Sequence, residues 1–290
     1  MVITVIGGPS SEKLAQKIAN KLKSKFIKSE LRVFPDGESK ITIKGKPQGK
    51  IVVIQSIYPP VDSNLIRGLA IISQAKLFSS EVYAVIPYMG YARQDRQFLS
   101  GEIITMELVA KMFKAAGATK IIVVDIHSEK ALKHIQIPSK NLSVIDELVK
   151  YFKKLHLMNP LVVSPDKGGI ERARNFATLL GVDYIALEKH RDRKTGIVVI
   201  KTKDLDGVKG RDVIIVDDMI STGGSIVKAA EFLRKQKSGK IYVCCTHALL
   251  IQDAEKKIRK SGVTKIISTN TIPGNTSVVD ISSIIAKAIT

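Results

Sequence analysis

The sequence predicts an α/β fold of two tandem domains, each a mainly parallel sheet flanked by helices. Three observations carry this expectation. Short apolar, β-rich runs alternate with helical runs along all 290 residues. The strand-like runs, such as "KIVVIQS" and "RDVIIVDD", are continuously apolar rather than alternating, as in strands covered on both faces of a parallel sheet. Each half, split near Asn141–Asp146, holds four or five such runs, which puts a first domain at 1–145 and a second at 146–290.

In chain order, "VITVI" reads as the first strand and Ser11–Leu22 as a helix. "KIVVIQS" is a strand and Asn64–Lys76 a helix; "EVYAVIPY" is a strand, Thr105–Ala116 a helix and "KIIVVDIHS" a strand. The second half repeats the theme. "PLVVSPD" leads into a helix at Gly168–Leu180, and "DYIALEK", "GIVVIKT" and "RDVIIVDD" are strands. A helix at Ser221–Lys237, the strand "KIYVCCTHA", a helix at Gln252–Ser261 and the strand "KIISTN" complete the pattern. Ligands of such sheets bind beyond the carboxyl ends of the strands.

Composition narrows the function. A hydrophobic fraction of 44% supports a large core, and no apolar run reaches the ~20 residues of a membrane span. "MVITVIGGPS" has no basic stretch ahead of its apolar residues, so it reads as a strand and not a signal peptide, with a cytoplasmic protein expected. Cys244 and Cys245 are adjacent in an apolar strand, where neighbours face opposite ways, so they read as small buried hydrophobes. The charge of +19, from 46 basic and 27 acidic residues, selects anionic partners. Cations are spread along the chain and aromatics are only 5%, which favours phosphorylated metabolites over single-stranded nucleic acid.

The most informative stretch is "VIIVDDMISTGGSI", Val213–Ile226. A helix N-terminus exposes unpaired N–H groups and partial positive charge, and its glycines let an anion approach the backbone. A phosphate fits that turn. Asp217 and Asp218 would repel it, so they suit sugar hydroxyls or a metal near them. A phosphorylated sugar meets both demands. Other segments carry chemistry at strand ends. "RVFPDGESKI" (Arg32–Ile41) is an acid-bearing turn, although Asp36-Gly37 is also ordinary turn chemistry. "IPYMGYARQDRQF" (Ile86–Phe98) gathers Arg93, Gln94, Asp95 and Arg96, suited to phosphate or a stacked base. "VVDIHSE" sets Asp125 and His127 after a strand, a fair metal-ligand arrangement. "VVSPDKGGIERA" repeats the pattern of strand, acid and Gly-Gly helix entry, and "ALEKHRDRKTG" is densely cationic.

The loop after Asp217 resembles the phosphoribosyl-diphosphate (PRPP) signature of type I phosphoribosyltransferases and ribose-phosphate pyrophosphokinases. All six segments together resemble the pyrophosphokinase (PRPP synthetase) family in order and spacing. "FPDGE" and "YARQDR" are not expected in phosphoribosyltransferases. The resemblance spans essentially the whole chain. It implies two phosphoribosyltransferase-like domains, with the last helix, around Asp280–Ile289, packing back on the first. It implies an enzyme that moves the diphosphoryl group of ATP to the C1 hydroxyl of ribose 5-phosphate, with Mg²⁺, giving PRPP and AMP.

Carried over residue by residue, the resemblance assigns Asp36, Gly37 and Glu38 to the adenine side of ATP, with Phe34 stacking nearby. It gives Arg93 and Gln94 to the other side of ATP, and His127 and Asp166 to Mg²⁺. Lys189 and Arg191 would act on the transferred group from a mobile loop, and Arg191, Asp217, Asp218, Ser221, Thr222, Gly223, Gly224 and Ser225 would bind ribose 5-phosphate. A homo-oligomer is implied, at least a dimer, because the Phe34–Glu38 loop reaches a neighbouring subunit's ATP site in the family. No nucleic-acid or membrane partner is expected. Two positions depart from the family pattern: Ser221 stands where many relatives carry an acid, and Lys167 where they often carry a small or apolar residue. A phosphoribosyltransferase and a non-catalytic relative are the rival readings. The second would be expected to lose Lys189 or the metal ligands, all of which are present.

Overall fold

A computed structural model describes residues 2–191, 198–201 and 207–290, with the backbone alone at 188–191 and 198–201. The chain divides into two units. One comprises Met1–Val144, Thr271–Pro273 and Asp280–Thr290; the other comprises Ile145–Asn270 and Gly274–Val279.

The first unit is built on seven strands: β1 (Ile3–Gly7), β2 (Lys25–Val33), β3 (Ser39–Ile43), β4 (Lys50–Ile54), β5 (Val82–Ile86), β6 (Lys120–Val124) and β7 (Ser139–Leu142). Their order is β3-β2-β1-β4-β5-β6-β7, and every pair is parallel except β2–β3. Helices α1 (Glu12–Leu22), α2 (Val61–Lys76) and α3 (Thr105–Ala115) connect strands, burying the periodic apolar residues Leu14, Ala15, Ile18 and Ala19 in α1 and Met106, Val109, Ala110 and Phe113 in α3. Strands β4, β5 and β6 supply the centre of the core, where Ile51, Val53, Ala84, Ile86, Ile121 and Val123 are fully buried.

The second unit contains α4 (Ile145–Phe152), β8 (Leu161–Ser164), α5 (Ile170–Leu180), β9 (Asp183–Ala186), β10 (Glu188–Arg191), β11 (Val198–Lys201), β12 (Val213–Ile220), α6 (Gly224–Lys235), β13 (Ile241–Ala248), α7 (Ala254–Lys260), β14 (Val263–Thr269) and β15 (Ser277–Val279). Six strands form an all-parallel sheet in the order β15-β14-β13-β12-β8-β9, and β10 and β11 pair antiparallel by themselves. All eight residues of β13 are buried, which explains its unbroken apolar sequence and accommodates Cys244 and Cys245 as core residues. The final helix, α8 (Ser282–Ile289), belongs to the first unit and packs on α1, with Lys17 Nζ 3.0 Å from Asp280 Oδ2 beside it.

Several elements differ from the sequence expectation. Strands β2, β3, β7 and β15 and helix α4 were not predicted. The run "KIIVVDIHS" leaves the sheet at Val124, because Asp125 takes a positive φ of 36°. "DYIALEK" is two strands and not one: Leu187 donates its N–H to Ser164 O, and the next four residues pair with β11. Helix α6 begins at Gly224 and not at Ser221, since Gly223 is in the left-handed region at φ 75°.

Candidate active site

Both large sheets reverse their winding direction at one point. In the second unit the chain leaves β8 towards β9 at one edge, while β12 leads towards β13 and β14 on the other side. The loops after β8 and β12 therefore diverge and open a crevice at the carboxyl ends of two paired strands, the usual ligand position in open α/β sheets. Those loops are residues 165–169 and 221–223, two of the segments singled out from the sequence.

The β12 loop is held from behind. Leu250 N–H donates to Ile220 O and Ile251 N–H to Ser221 O. Gly223 is buried, and a Cβ there would lie 2.8 Å from Ile258 Cδ1 of α7, so its left-handed turn is fixed by packing as well as by φ. Gly224, by contrast, has nothing among the described residues within 4 Å of an added Cβ. Open space thus lies at the first residue of α6, where the N–H groups of the first turn and the helix dipole favour an anion.

Asp217 and Asp218 lie inside β12, past the last residue that pairs with β8. Arg172 of α5 reaches both: its Nη1 is 3.8 Å from Asp217 Oδ1 and 3.4 Å from Asp218 Oδ1. Asp218 N–H donates to Asp217 Oδ1 at 2.9 Å. Burial, then the hydrogen bond and charge of Asp218, push the Asp217 carboxyl up to about 8, against a smaller opposing pull from Arg172. Asp217 is therefore held towards its protonated form at neutral pH. Burial also pushes the Cys245 thiol well up, so it is no nucleophile. Arg172 is a site residue that the sequence reading missed. It follows the Gly168-Gly169 helix entry by one turn, and that spacing was its only signal.

In the β8 loop, Asp166 Oδ1 accepts the N–H of Gly168 at 3.1 Å and Ser164 Oγ donates to Asp166 O at 2.6 Å. This fixes the Asp166 side chain at the mouth of the turn. Lys167 is exposed.

The first unit has its own reversal point, between β1 and β4. There the crevice is filled by the chain itself. Gln55 and Ser56 are fully buried; Ser10 Oγ donates to Ser56 O, Ser11 Oγ accepts from Ser56 N–H, and Ser56 Oγ donates to Thr271 O. The predicted residues of this unit sit elsewhere. Arg93 and Gln94 are exposed in the loop after β5, and His127 is exposed after β6. Phe34–Glu38 close the β2–β3 hairpin. Gly37 N–H donates to Phe34 O, Phe34 N–H to Glu38 O, and Glu38 N–H to Asp36 Oδ1, with Gly37 at φ 94° and the Arg32 guanidinium 5.0 Å above the half-buried Phe34 ring. Only Lys25–Lys28 of β2 pair with β1, whereas Ser29–Val33 pair with β3 alone. At about 3.3 Å per residue the hairpin runs roughly 16 Å past its last partner on β1.

Lys189 and Arg191 lie on β10, opposite Ile200 and Val198 of β11. Their side chains, and Arg193 and Lys194 of the same cationic segment, fall outside the described residues. Among the described residues no group of three or more His, Cys, Asp or Glu side chains could hold a metal ion, and no helix is long and apolar enough to cross a membrane.

Comparison with known proteins agrees with this architecture. Residues 3–117 match the family model described as the N-terminal domain of ribose phosphate pyrophosphokinase, and residues 188–290 match the phosphoribosyl synthetase-associated domain. A ribose-phosphate pyrophosphokinase of Methanothermobacter thermautotrophicus is 38% identical over 283 residues, covering 97% of this chain and 98% of the relative. One from Staphylococcus aureus is 36% identical, covering 96% of this chain and 90% of the relative. The crystal structure of the phosphoribosylpyrophosphate synthetase of Mycobacterium smegmatis superposes with a TM-score of 0.88 at 27% identity, covering 100% of this chain and 98% of the other. On near full-length identity of this order, with the two-sheet fold matched throughout, the chain belongs to the ribose-phosphate pyrophosphokinase family.

Proposed function

We propose that the protein transfers the β,γ-diphosphoryl group of ATP to the C1 hydroxyl of ribose 5-phosphate, producing PRPP and AMP. The observation that carries this reading is the crevice at the reversal point of the second sheet, where an acid pair and an open helix entry stand side by side. Ribose 5-phosphate meets both features. Its phosphate takes the turn from Ser221 to Ser225, with N–H groups of α6, and its ring hydroxyls donate to Asp217 and Asp218. Arg172 holds those carboxylates in place and balances their charge.

The attacking group is the sugar's own C1 hydroxyl, so no side-chain nucleophile is needed. The demands are alignment and charge compensation along the ATP tail. Lys189 and Arg191 supply cations towards the β-phosphate, Lys as a point charge and Arg as a planar fork. Arg93 and Gln94, with the Phe34–Glu38 turn, bind the nucleoside side. A hairpin extending past its own sheet suits a turn that serves a neighbouring copy, and we infer a homo-oligomer on that ground. Mg²⁺ is the metal this reading calls for, since it binds through one or two carboxylates plus substrate phosphates rather than in an all-protein cage, and Asp166 offers such a carboxylate. Asp166 and His127 would hold it, and when bound it offsets the charge of the triphosphate. The reading places the protein in the cytoplasm, with ATP and ribose 5-phosphate as its partners.

The test is phosphorus NMR of purified protein with Mg²⁺, ATP and ribose 5-phosphate, beside a Lys189→Ala control. AMP together with a sugar bearing diphosphate at C1, lost in the variant, is the expected result. ADP as the nucleotide product would refute diphosphoryl transfer.

A further inference from the structure

Asp95 is a buried carboxylate of the first unit that lies outside the proposed ligand set. It follows Arg93 and Gln94 directly, yet its side chain is 4% exposed while both of theirs face solvent. The carboxylate turns inward, and Ser128 Oγ donates to its Oδ2 at 2.5 Å. Ser128 follows His127. One short charge-assisted hydrogen bond therefore ties the loop after β5 to the loop after β6, at the two residues adjacent to the proposed ligand side chains.

The backbone of the same residue is tied as well. His134 Nε2 lies 2.7 Å from Asp95 O. A carbonyl only accepts, so Nε2 carries the proton and donates. His134 ends a 3₁₀ segment, Glu129–His134, that begins just after Ser128. On the other side, Gln94 O accepts the N–H of Met106 in α3, and Gln94 N–H donates to Tyr91 O. Among the described residues the ion pair at this carboxylate is a long one, Arg96 Nε at 4.0 Å from Oδ1, and Arg96 is exposed. A buried carboxylate costs several kcal/mol unless it is paired and hydrogen-bonded. A leucine here would fill the space without that cost, but it would leave the two loops unlinked.

We infer that Asp95 is a positioning residue that locks the Arg93–Gln94 loop to the His127 loop through Ser128, so that the nucleoside and the triphosphate of ATP are held in one fixed register. This rests on the ATP site proposed above. Arg93 and Gln94 without a fixed spacing to His127 could each bind part of ATP, but not align its β-phosphorus with the sugar hydroxyl.

The experiment is steady-state kinetics of Ser128→Ala, Ser128→Thr, Asp95→Asn and the double variant Asp95→Asn/Ser128→Ala, with the KM of each substrate measured separately. Ser128→Ala is expected to raise the KM for ATP about tenfold and lower kcat, with the KM for ribose 5-phosphate unchanged. Ser128→Thr, which keeps the hydroxyl, restores the ATP constant to within about twofold. The double variant loses no more than the worse single one, because both remove the same link. Additive losses, or equal changes in both KM values, would overturn the inference. So would Ser128→Ala kinetics like the wild type, provided the wild type makes PRPP. If the wild type makes none, it is the proposed function that fails, and calorimetric binding of ATP to wild type and Ser128→Ala still decides the clamp: equal affinities refute it, weaker binding by the variant supports it.

Discussion

The acid pair on β12 makes stability depend on pH in an unusual direction. A paired surface carboxylate normally has a lowered pKa and loses stability as pH falls. Asp217 is the reverse: its ordinary value of 3.8 is pushed up to about 8 in the folded chain. Between those limits the folded state keeps a proton that the unfolded chain has released, so stability falls as pH rises. The contribution is fully present below about pH 4 and is lost as pH climbs through 8. At about 1.4 kcal/mol per pH unit the interval is worth up to roughly 6 kcal/mol, shared between two coupled acids. In an Asp217→Asn variant the amide is neutral at every pH and has nearly the same shape as the acid. Urea unfolding followed by circular dichroism, at steps from pH 4.5 to 9, should therefore show the wild type losing several kcal/mol relative to the variant. The two should be close near pH 5, and the variant should be the more stable at pH 9. A wild-type-minus-variant difference that stays constant with pH, or that grows in favour of the wild type, would refute the argument that desolvation and Asp218 hold the proton.

Three further outcomes follow from the same region and from the last helix. Arg172→Leu removes the cation shared by Asp217 and Asp218, and should weaken ribose 5-phosphate binding by about tenfold or more, on the scale of one charged hydrogen bond, while leaving ATP affinity unchanged; separate KM values read this directly. Adjacent glycines should behave differently. Gly223→Ala forces an alanine into φ 75° and against Ile258, costing about 2 kcal/mol visible in the thermal midpoint, whereas Gly224→Ala meets no atom of the described residues, so it should keep stability and lose ribose 5-phosphate affinity. Ser282 Oγ is buried with no hydrogen-bond partner among the described residues at the start of α8, so Ser282→Ala should raise stability by about 1 kcal/mol in thermal or urea unfolding.

What the sequence revealed, and what it hid, divides along burial. Strands covered on both faces are apolar throughout, and "KIVVI" or "VIIV" could be nothing else in a chain that alternates with helices. The β2–β3 hairpin was missed for the converse reason. Its outer half is covered only in part: Ile41 and Ile43 pack against the core while most other positions are exposed, so "SELRV" and "SKITI" alternate weakly. Edge strands β7 and β15 are short and carry polar residues for similar cause. Site chemistry was legible where one loop contained it, as in the acids and glycines after Val216. It was hidden where it depends on residues far apart in sequence. Arg172 looks like an outward helix arginine until α5 is packed beside β12, and Asp95 looks like one more charge in "RQDR" until Ser128 is found beneath it.

The two sheets also differ in a way that neither half of the sequence announces. Each has a reversal point with a loop-to-helix entry after its strand, so each could in principle hold a phosphorylated ligand. In the second unit the residues facing that point are small or acidic, and space remains beyond Gly224. In the first unit, Gln55, Ser56, Ser10 and Ser11 are buried there and hydrogen-bond one another and Thr271, a residue supplied by the C-terminal part of the chain. Opening a polar network so well satisfied would strand several buried groups at about 1–3 kcal/mol each. The first crevice has thus become a structural joint that ties the returning C-terminal segment to the sheet. At the ends of β5 and β6, by contrast, Arg93, Gln94 and His127 are exposed, so the residues proposed for the nucleotide lie away from that joint.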